Sequence, residues 1–292
     1  SPAFSFPASR WQKLGVPMSI DRQQTLQLQL EGLQSAIRKD ASDADLRVHL
    51  FQLLCVMGNW KRALSQLQVC AQLAAKALPM AQTYREAIKC EVFRAEVFAG
   101  KRTPQVMGKP PEWIGHLIEA LKHDAGDRAD AAAELRSKAL DAAQPAGFMV
   151  DKVECEWIAD ADSRLGPVCE VIANGQYYWL PFESCSGISL EKPTDMRDLV
   201  WLPAEIMLPN EGRVPALIPT RYVDTEKSTA PNADQLKLAS ATEWIEKSEG
   251  AWFGVGQRLW TTDQNDYPLL DVRLITSMAP PAPARVAETA TS

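Results

Sequence analysis

The sequence lacks the residue patterns on which most catalytic and metal sites are built. Its three histidines, His49, His116 and His123, lie in no H-E-x-x-H or E-x-x-H arrangement, and no two cysteines are spaced C-x-x-C. The G-x-S-x-G turn of many serine hydrolases and a complete phosphate-binding loop are also missing. We therefore predict no catalytic residue, no metal and no cofactor.

The sequence also lacks an excess of positive charge and long apolar runs. The chain has 31 Lys and Arg against 37 Asp and Glu, a net charge of −6, which argues against general nucleic-acid binding. Its densest basic stretches are pairs such as Lys61-Arg62. No apolar segment reaches the roughly 18 residues that cross a bilayer, and no leader resembles a signal peptide. We expect a cytoplasmic protein that binds neither nucleic acid nor membranes.

The cysteines fit the same interpretation. Because none is paired by spacing and three lie in apolar helical segments, we expect reduced, buried thiols. The alternative is that Cys185 acts as a nucleophile, activated by a group distant in sequence. The six residues are Cys55, Cys70, Cys90, Cys155, Cys169 and Cys185.

The composition changes near residue 147 and predicts an α+β chain with two domains. Residues 19–146 are rich in Ala, Leu and Gln with helical periodicity, whereas residues 147–276 hold six of the nine Trp and four of the five Tyr. Residues 1–18 are expected to be an extension that is flexible or foreign to the natural start. Residues 277–292, rich in Pro, Ala and Thr, are expected to be a disordered tail.

The helical half contains a turn typical of degenerate tetratricopeptide-like hairpins. Gly58 ends one apolar helical run, Trp60 follows two residues later, and Ala63 is small enough for close helix packing. Arrays of such hairpins often bind a helix or an extended peptide in a groove. The groove-facing positions would be Asp45, Val48, Gln52, Cys55 and Val56. The alternative is that these side chains are buried against a neighbouring helix or the second domain.

The C-terminal half predicts a small antiparallel, β-barrel-like domain. Two β-prone runs flank Asn174-Gly175, the pair that favours a type I′ hairpin turn. Further strands are predicted over residues 153–160 and 269–275, and a short helical turn over residues 193–201. Tyr178 and Trp179 are candidates for a partner-binding platform, although such aromatic residues also fill the cores of small barrels.

Three motifs in fixed order carry a family resemblance. They are D-S-R-L-G-P at residues 162–167, N-G-x-Y-Y-W-x-P-F at 174–182 and D-L-x-W-x-P at 198–203. Together with weaker similarity over residues 20–276, they resemble the ImpE/TagJ family of accessory proteins of bacterial type VI secretion systems.

The resemblance implies a non-enzymatic adaptor. Such proteins bind the N-terminal helix of the small contractile-sheath subunit and are thought to influence how the contracted sheath reaches its disassembly ATPase. The groove would lie on the helical hairpins or at the aromatic residues of the second half. The alternative function is a small-ligand binder, or a cysteine-dependent enzyme, that uses the aromatic-rich C-terminal half.

Overall fold

The computed structural model describes residues 24–278, so the predicted extension at residues 1–18 and nearly all of the predicted tail lie outside it. The N-terminal half is helical, as the periodicity predicts. Its helices are α1 (Leu26–Lys39), α2 (Ala44–Val56), α3 (Trp60–Leu73), α4 (Leu78–Phe98), α5 (Ile114–Ala125) and α6 (Ala129–Ala142).

Local side-chain bonds explain where these helices begin. The Thr25 hydroxyl, the Asp43 carboxylate and the Asn59 side-chain oxygen each accept from backbone N–H groups in the first turns of α1, α2 and α3. These caps satisfy donors that have no partner inside a helix. Helix α2 ends at the predicted glycine, since Gly58 has φ +69°. The helical hairpin α2–α3 is therefore confirmed, while its tetratricopeptide assignment stays a prediction.

The C-terminal half is built mostly from antiparallel strands. One sheet has nine strands in the order β1-β6-β5-β9-β8-β7-β14-β2-β3, beside a two-stranded sheet β10-β11 and a three-stranded sheet β13-β12-β4. A short helix α7 (Ala233–Lys237) lies between β9 and β10. The strands are β1 (Gln105–Val106), β2 (Phe148–Val150), β3 (Val153–Cys155), β4 (Ile158–Asp160), β5 (Val168–Ala173), β6 (Gln176–Pro181), β7 (Gly187–Leu190), β8 (Trp201–Met207), β9 (Arg213–Pro219), β10 (Thr242–Ser248), β11 (Ala251–Gly256), β12 (Leu259–Thr262), β13 (Asp266–Pro268) and β14 (Leu274–Ser277).

The predicted β-barrel-like arrangement does not close into a barrel. Within residues 24–278 the nine-stranded sheet is open, with β1 and β3 as its two edges. Strand β1 comes from the helical half and joins β6 in parallel, so the sheet is also not wholly antiparallel. Helix α4 packs on β6, and one buried cluster contains apolar residues of both halves. Because the helices bury the apolar face of the sheet, the sheet does not have to close on itself.

Two strand predictions needed correction, and one hairpin is confirmed. The strand predicted over residues 153–160 divides into β3 and β4, which belong to different sheets. Of the strand predicted over 269–275, only the end is extended, in β14. Asn174 and Gly175 have φ of 52° and 74°, as the type I′ turn between β5 and β6 requires.

Aromatic rings fill the two large buried clusters, one where the helices meet the sheet and one within the sheet half. Trp201 lies between Trp60 and Tyr84, with ring centroids 5.8 and 5.6 Å away, where the helices meet the sheet. Within the sheet half, Phe182 packs edge-on to Trp260 at 5.6 Å. Most of the aromatic residues of the C-terminal half are thus core residues.

A glycine substitution tests the hairpin turn. Gly58 has positive φ, and a Cβ there would lie 2.4 Å or less from Cβ and Cγ of Glu226. We expect Gly58→Ala to lower the free energy of unfolding by about 1–3 kcal/mol, measured by urea denaturation. The control is Gly32→Ala in helix α1, where a Cβ meets nothing within 4 Å. That change should stabilise the protein by roughly 0.5–1 kcal/mol. Equal effects of the two substitutions would contradict the account.

Candidate partner-binding surface

A buried cluster of charged side chains joins helix α4 to the sheets. Glu170 on β5 has 0% of its surface exposed, and it accepts hydrogen bonds from Nε and Nη2 of Arg94 at 2.6 and 2.9 Å. Arg258, also fully buried, donates to Glu170 and to Asp160. The Tyr177 hydroxyl donates to the same Glu170 carboxylate. The buried negative charge therefore has two guanidinium partners, which is the condition under which such burial is tolerated.

The two carboxylates of this cluster have different pKa values. Burial would raise the pKa of Glu170, but Arg94 and Arg258 outweigh it and lower the pKa to about 2. For Asp160 burial dominates the pull of Arg258 and raises the pKa to about 6. Such separated values often mark active sites. Here both carboxylates are buried, and the bonds they make connect structural elements, so the cluster serves the architecture.

A second set of polar contacts ties helices α2 and α4 to the sheet half. The Trp201 indole donates to Glu91 at 2.9 Å, and Glu91 pairs with Arg94 at 3.2 Å. Arg221 donates to the backbone carbonyl of Val56, the last residue of α2, at 2.7 Å. A carbonyl at a helix end lacks a partner within the helix, so Arg221 satisfies it.

The D-S-R-L-G-P motif connects the β10–β11 hairpin to helix α4. Asp162 accepts from the backbone N–H of Gly254 and from Nε of Arg164, both at 2.8 Å. The Arg164 guanidinium lies over the rings of Phe98 and Phe253, at 5.0 and 4.5 Å from their centroids. The motif residues thus hold elements together and are covered by them.

The predicted groove on α2 is occupied by the chain itself. Asp45 is exposed, but Val48, Gln52, Cys55 and Val56 expose 4, 1, 0 and 0% of their surfaces. Val48 packs with Cys70 and Ala77. The 3₁₀ turn Met196–Leu199, which the sequence predicts, packs against α2. These four side chains are therefore buried against a neighbouring helix and the second half, which is the alternative that the sequence left open. A partner would reach them only if α2 separated from its neighbours.

The two aromatic candidates lie on opposite faces of β6, because they are consecutive in a strand. Trp179 is fully buried, and its indole donates to the Tyr177 hydroxyl at 2.9 Å. Tyr178 is partly exposed and donates to the side chain of Gln176 at 2.8 Å. Only Tyr178 is therefore accessible to a partner.

The cysteine geometry does not support a thiol nucleophile. All six cysteines are free and buried, as predicted. Burial raises the pKa of Cys185 to about 12, and its thiol donates to the carbonyl of Phe182 at 3.4 Å. A thiol with that pKa holds almost no thiolate at neutral pH. Across residues 24–278 no group of His, Cys, Asp and Glu is arranged to hold a metal, and no helix has the length and apolarity to cross a membrane.

An open, largely apolar groove with a volume of about 820 Å³ lies between α3 and α4, and we call it the α3–α4 groove. Val92 in this groove is 49% exposed. Exposed apolar grooves on otherwise polar surfaces commonly bind other proteins. The lining residues are Met57, Gly58, Asn59, Trp60, Lys61, Leu64, Ile88, Lys89 and Val92.

Sequence reasoning missed this groove. Trp60 is predicted as part of the hairpin turn, and its ring also contacts Trp201 of the sheet half. Helical periodicity identifies apolar positions, but it does not tell which of them another element covers. The sequence contains one residue that could have indicated this groove, the apolar Val92. It lies on α4 between Glu91, which is buried, and Phe93 and Arg94 at the junction of the two halves.

Comparison with known proteins decides the family. The ImpE protein family model matches residues 152–276. The type VI secretion system accessory component TagJ of Pseudomonas aeruginosa is 48% identical over 244 residues, 84% of either chain. This chain belongs to the ImpE/TagJ family of type VI secretion accessory proteins. The ImpE/TagJ resemblance of the three motifs is thereby confirmed.

A solved structure shares the ImpE/TagJ architecture seen here. Protein VPA1032 from Vibrio parahaemolyticus superposes with a TM-score of 0.79 at 26% identity, covering 87% of this chain and 94% of that one. The arrangement of N-terminal helices against C-terminal sheets is therefore common to both proteins.

Removing the central charge tests the junction cluster. We expect Glu170→Gln to lower the free energy of unfolding at pH 7 by about 3–5 kcal/mol, because Arg94 and Arg258 lose their shared carboxylate. The matched control, Glu134→Gln, breaks only the exposed pair with Lys138 and should leave stability unchanged.

The stability difference between wild type and Glu170→Gln should depend on pH. The pKa of Glu170 falls from 4.5 to about 2 on folding, so its stabilisation is complete above pH 4.5 and is lost as the pH falls towards 2. The stability difference between wild type and Glu170→Gln should therefore shrink over that range, as measured by urea denaturation at a series of pH values. A difference that stays constant down to pH 2 would refute the assignment.

Proposed function

We propose that this protein is a non-enzymatic adaptor of a type VI secretion system that binds the N-terminal helix of the small sheath subunit. The observation that carries the proposal is the α3–α4 groove, an exposed apolar surface on helices whose inner face is already filled. Membership of the ImpE/TagJ family supports the secretion role. The groove replaces the buried α2 positions and Trp179 as the proposed docking site.

The floor of the groove suits a third helix. Trp60 and Leu64 are one turn apart on α3, and Ile88 and Val92 are one turn apart on α4. The floor thus offers a short apolar ridge on α3 and the half-exposed Val92 on α4, with Ile88 buried beneath. An amphipathic helix with apolar residues at i, i+3, i+4 and i+7 can pack its stripe against such a surface. Trp60, held from behind by Trp201, is the expected anchor, since rigid aromatic residues dominate many interfaces.

Binding at this site would also influence sheath turnover. A small-subunit helix lying in the groove has its apolar stripe covered, so the disassembly ATPase would meet that segment in a different state. We propose that the adaptor acts on sheath handling by this route. In an assay of ATPase-driven sheath disassembly, the wild-type protein should change the rate, and a groove variant that no longer binds should not.

Calorimetry with a synthetic N-terminal peptide of the small sheath subunit from the same bacterium tests the proposal. Wild-type protein should bind saturably with a negative heat-capacity change, the mark of apolar burial. Val92→Asp should weaken binding at least tenfold, because it places a charge in the apolar floor. The control is Leu28→Asp in α1, a 55% exposed leucine outside the groove, which should bind normally.

Two results would count against the proposal. Absence of binding by folded wild-type protein at ~100 µM peptide would mean an affinity weaker than about −5.5 kcal/mol and would reject the partner. Normal binding by a folded Val92→Asp variant would reject the groove as the site.

A further inference from the structure

The α3–α4 groove has a basic rim on an acidic protein. Two of its nine lining residues are lysines, Lys61 and Lys89, and both are exposed. Arg62 follows Lys61 in the chain, and Arg85 lies one turn before Lys89 on the same face of α4. The whole chain has a net charge of −6. The positive charge is thus local to this surface, and none of the lining residues within the described chain is acidic.

The nearby acidic side chains offset the positive charge of this rim only in part. Glu86 pairs with Lys89 at 2.8 Å, but both side chains are exposed, and such pairs contribute little to stability. Lys89 is therefore free to turn to another carboxylate at small cost. Glu226 lies against Gly58 at one end of the groove, where it interacts electrostatically with the buried Arg221.

The start of helix α3 adds to the positive potential. Lys61 lies in the first turn of α3, whose exposed N–H groups carry the positive end of the helix dipole. The Asn59 cap accepts from the backbone of Arg62 only and brings no charge. An acidic side chain approaching this end would meet both the lysine and the dipole.

We propose that the groove selects a helix whose apolar stripe is flanked by acidic residues, placed against Lys61 on one side and Lys89 on the other. This inference rests on the proposed function and adds the chemistry of the partner. Apolar anchors give the affinity, while the rim charges select the helix and speed its association. Exposed charges are screened by salt, so the selection should weaken as ionic strength rises.

The test uses two designed peptides with one sequence of apolar residues. One carries Glu at both flanks of the stripe and the other carries Lys. We expect wild-type protein to bind the Glu-flanked helix about tenfold more tightly than the Lys-flanked one in low salt, measured by calorimetry. In the double variant Lys61→Glu, Lys89→Glu the preference should reverse. The control is Lys192→Glu, an exposed lysine of the sheet half, which should keep the wild-type preference.

The outcomes separate this inference from the proposed function. If the sheath peptide binds wild type and the double variant equally, with no salt dependence, the acidic-flank inference fails and the adaptor function stands. If the sheath peptide does not bind but wild type still prefers the Glu-flanked helix, the groove chemistry holds and the partner is wrong. If wild type shows no preference, or binds neither designed helix, the inference is overturned.

Discussion

The structure depends on a carboxylate that cannot be buried alone. Glu170 keeps its charge inside the protein because Arg94 approaches from helix α4 and Arg258 from the start of β12. Removing either arginine would leave the buried charge with only one of its two partners, which costs far more than the net gain from the intact cluster. The helical half and the sheet half must therefore meet in one arrangement. That requirement decides which faces of the helices are covered.

This constraint gives the motifs that identify the family a structural role. Asp162 and Arg164 connect the β10–β11 hairpin to α4, Tyr177 donates to Glu170, and Trp201 donates to Glu91. Each residue makes a directional contact that other side chains of similar size would not make. The motifs therefore specify the junction of the two halves.

Sequence reasoning succeeded for structural features that neighbouring residues determine. The turn that ends α2 at Gly58 and the turn at Asn174-Gly175 depend on neighbouring residues only, and both form as predicted. It failed for features that depend on contacts between residues far apart in the sequence. The bond between Arg94 and Glu170 spans 76 residues, and strand β1 joins β6 across a similar separation. The groove on α2 was placed on helical positions whose exposure depends on what the sheet half covers, and no local pattern contains that information.

The open groove follows from the same packing. Helix α3 turns Ala63, Leu67 and Cys70 inward, where they are fully buried. Trp60 and Leu64 lie at the margin of that face and stay partly exposed, because no further helix of the described chain covers them. The buried cores of the protein are thus complete without an occupant in the groove. A short helix is only marginally stable alone in water, and in the binding mode proposed above it would gain its apolar cover here. Such binding would order the partner while this protein keeps its shape.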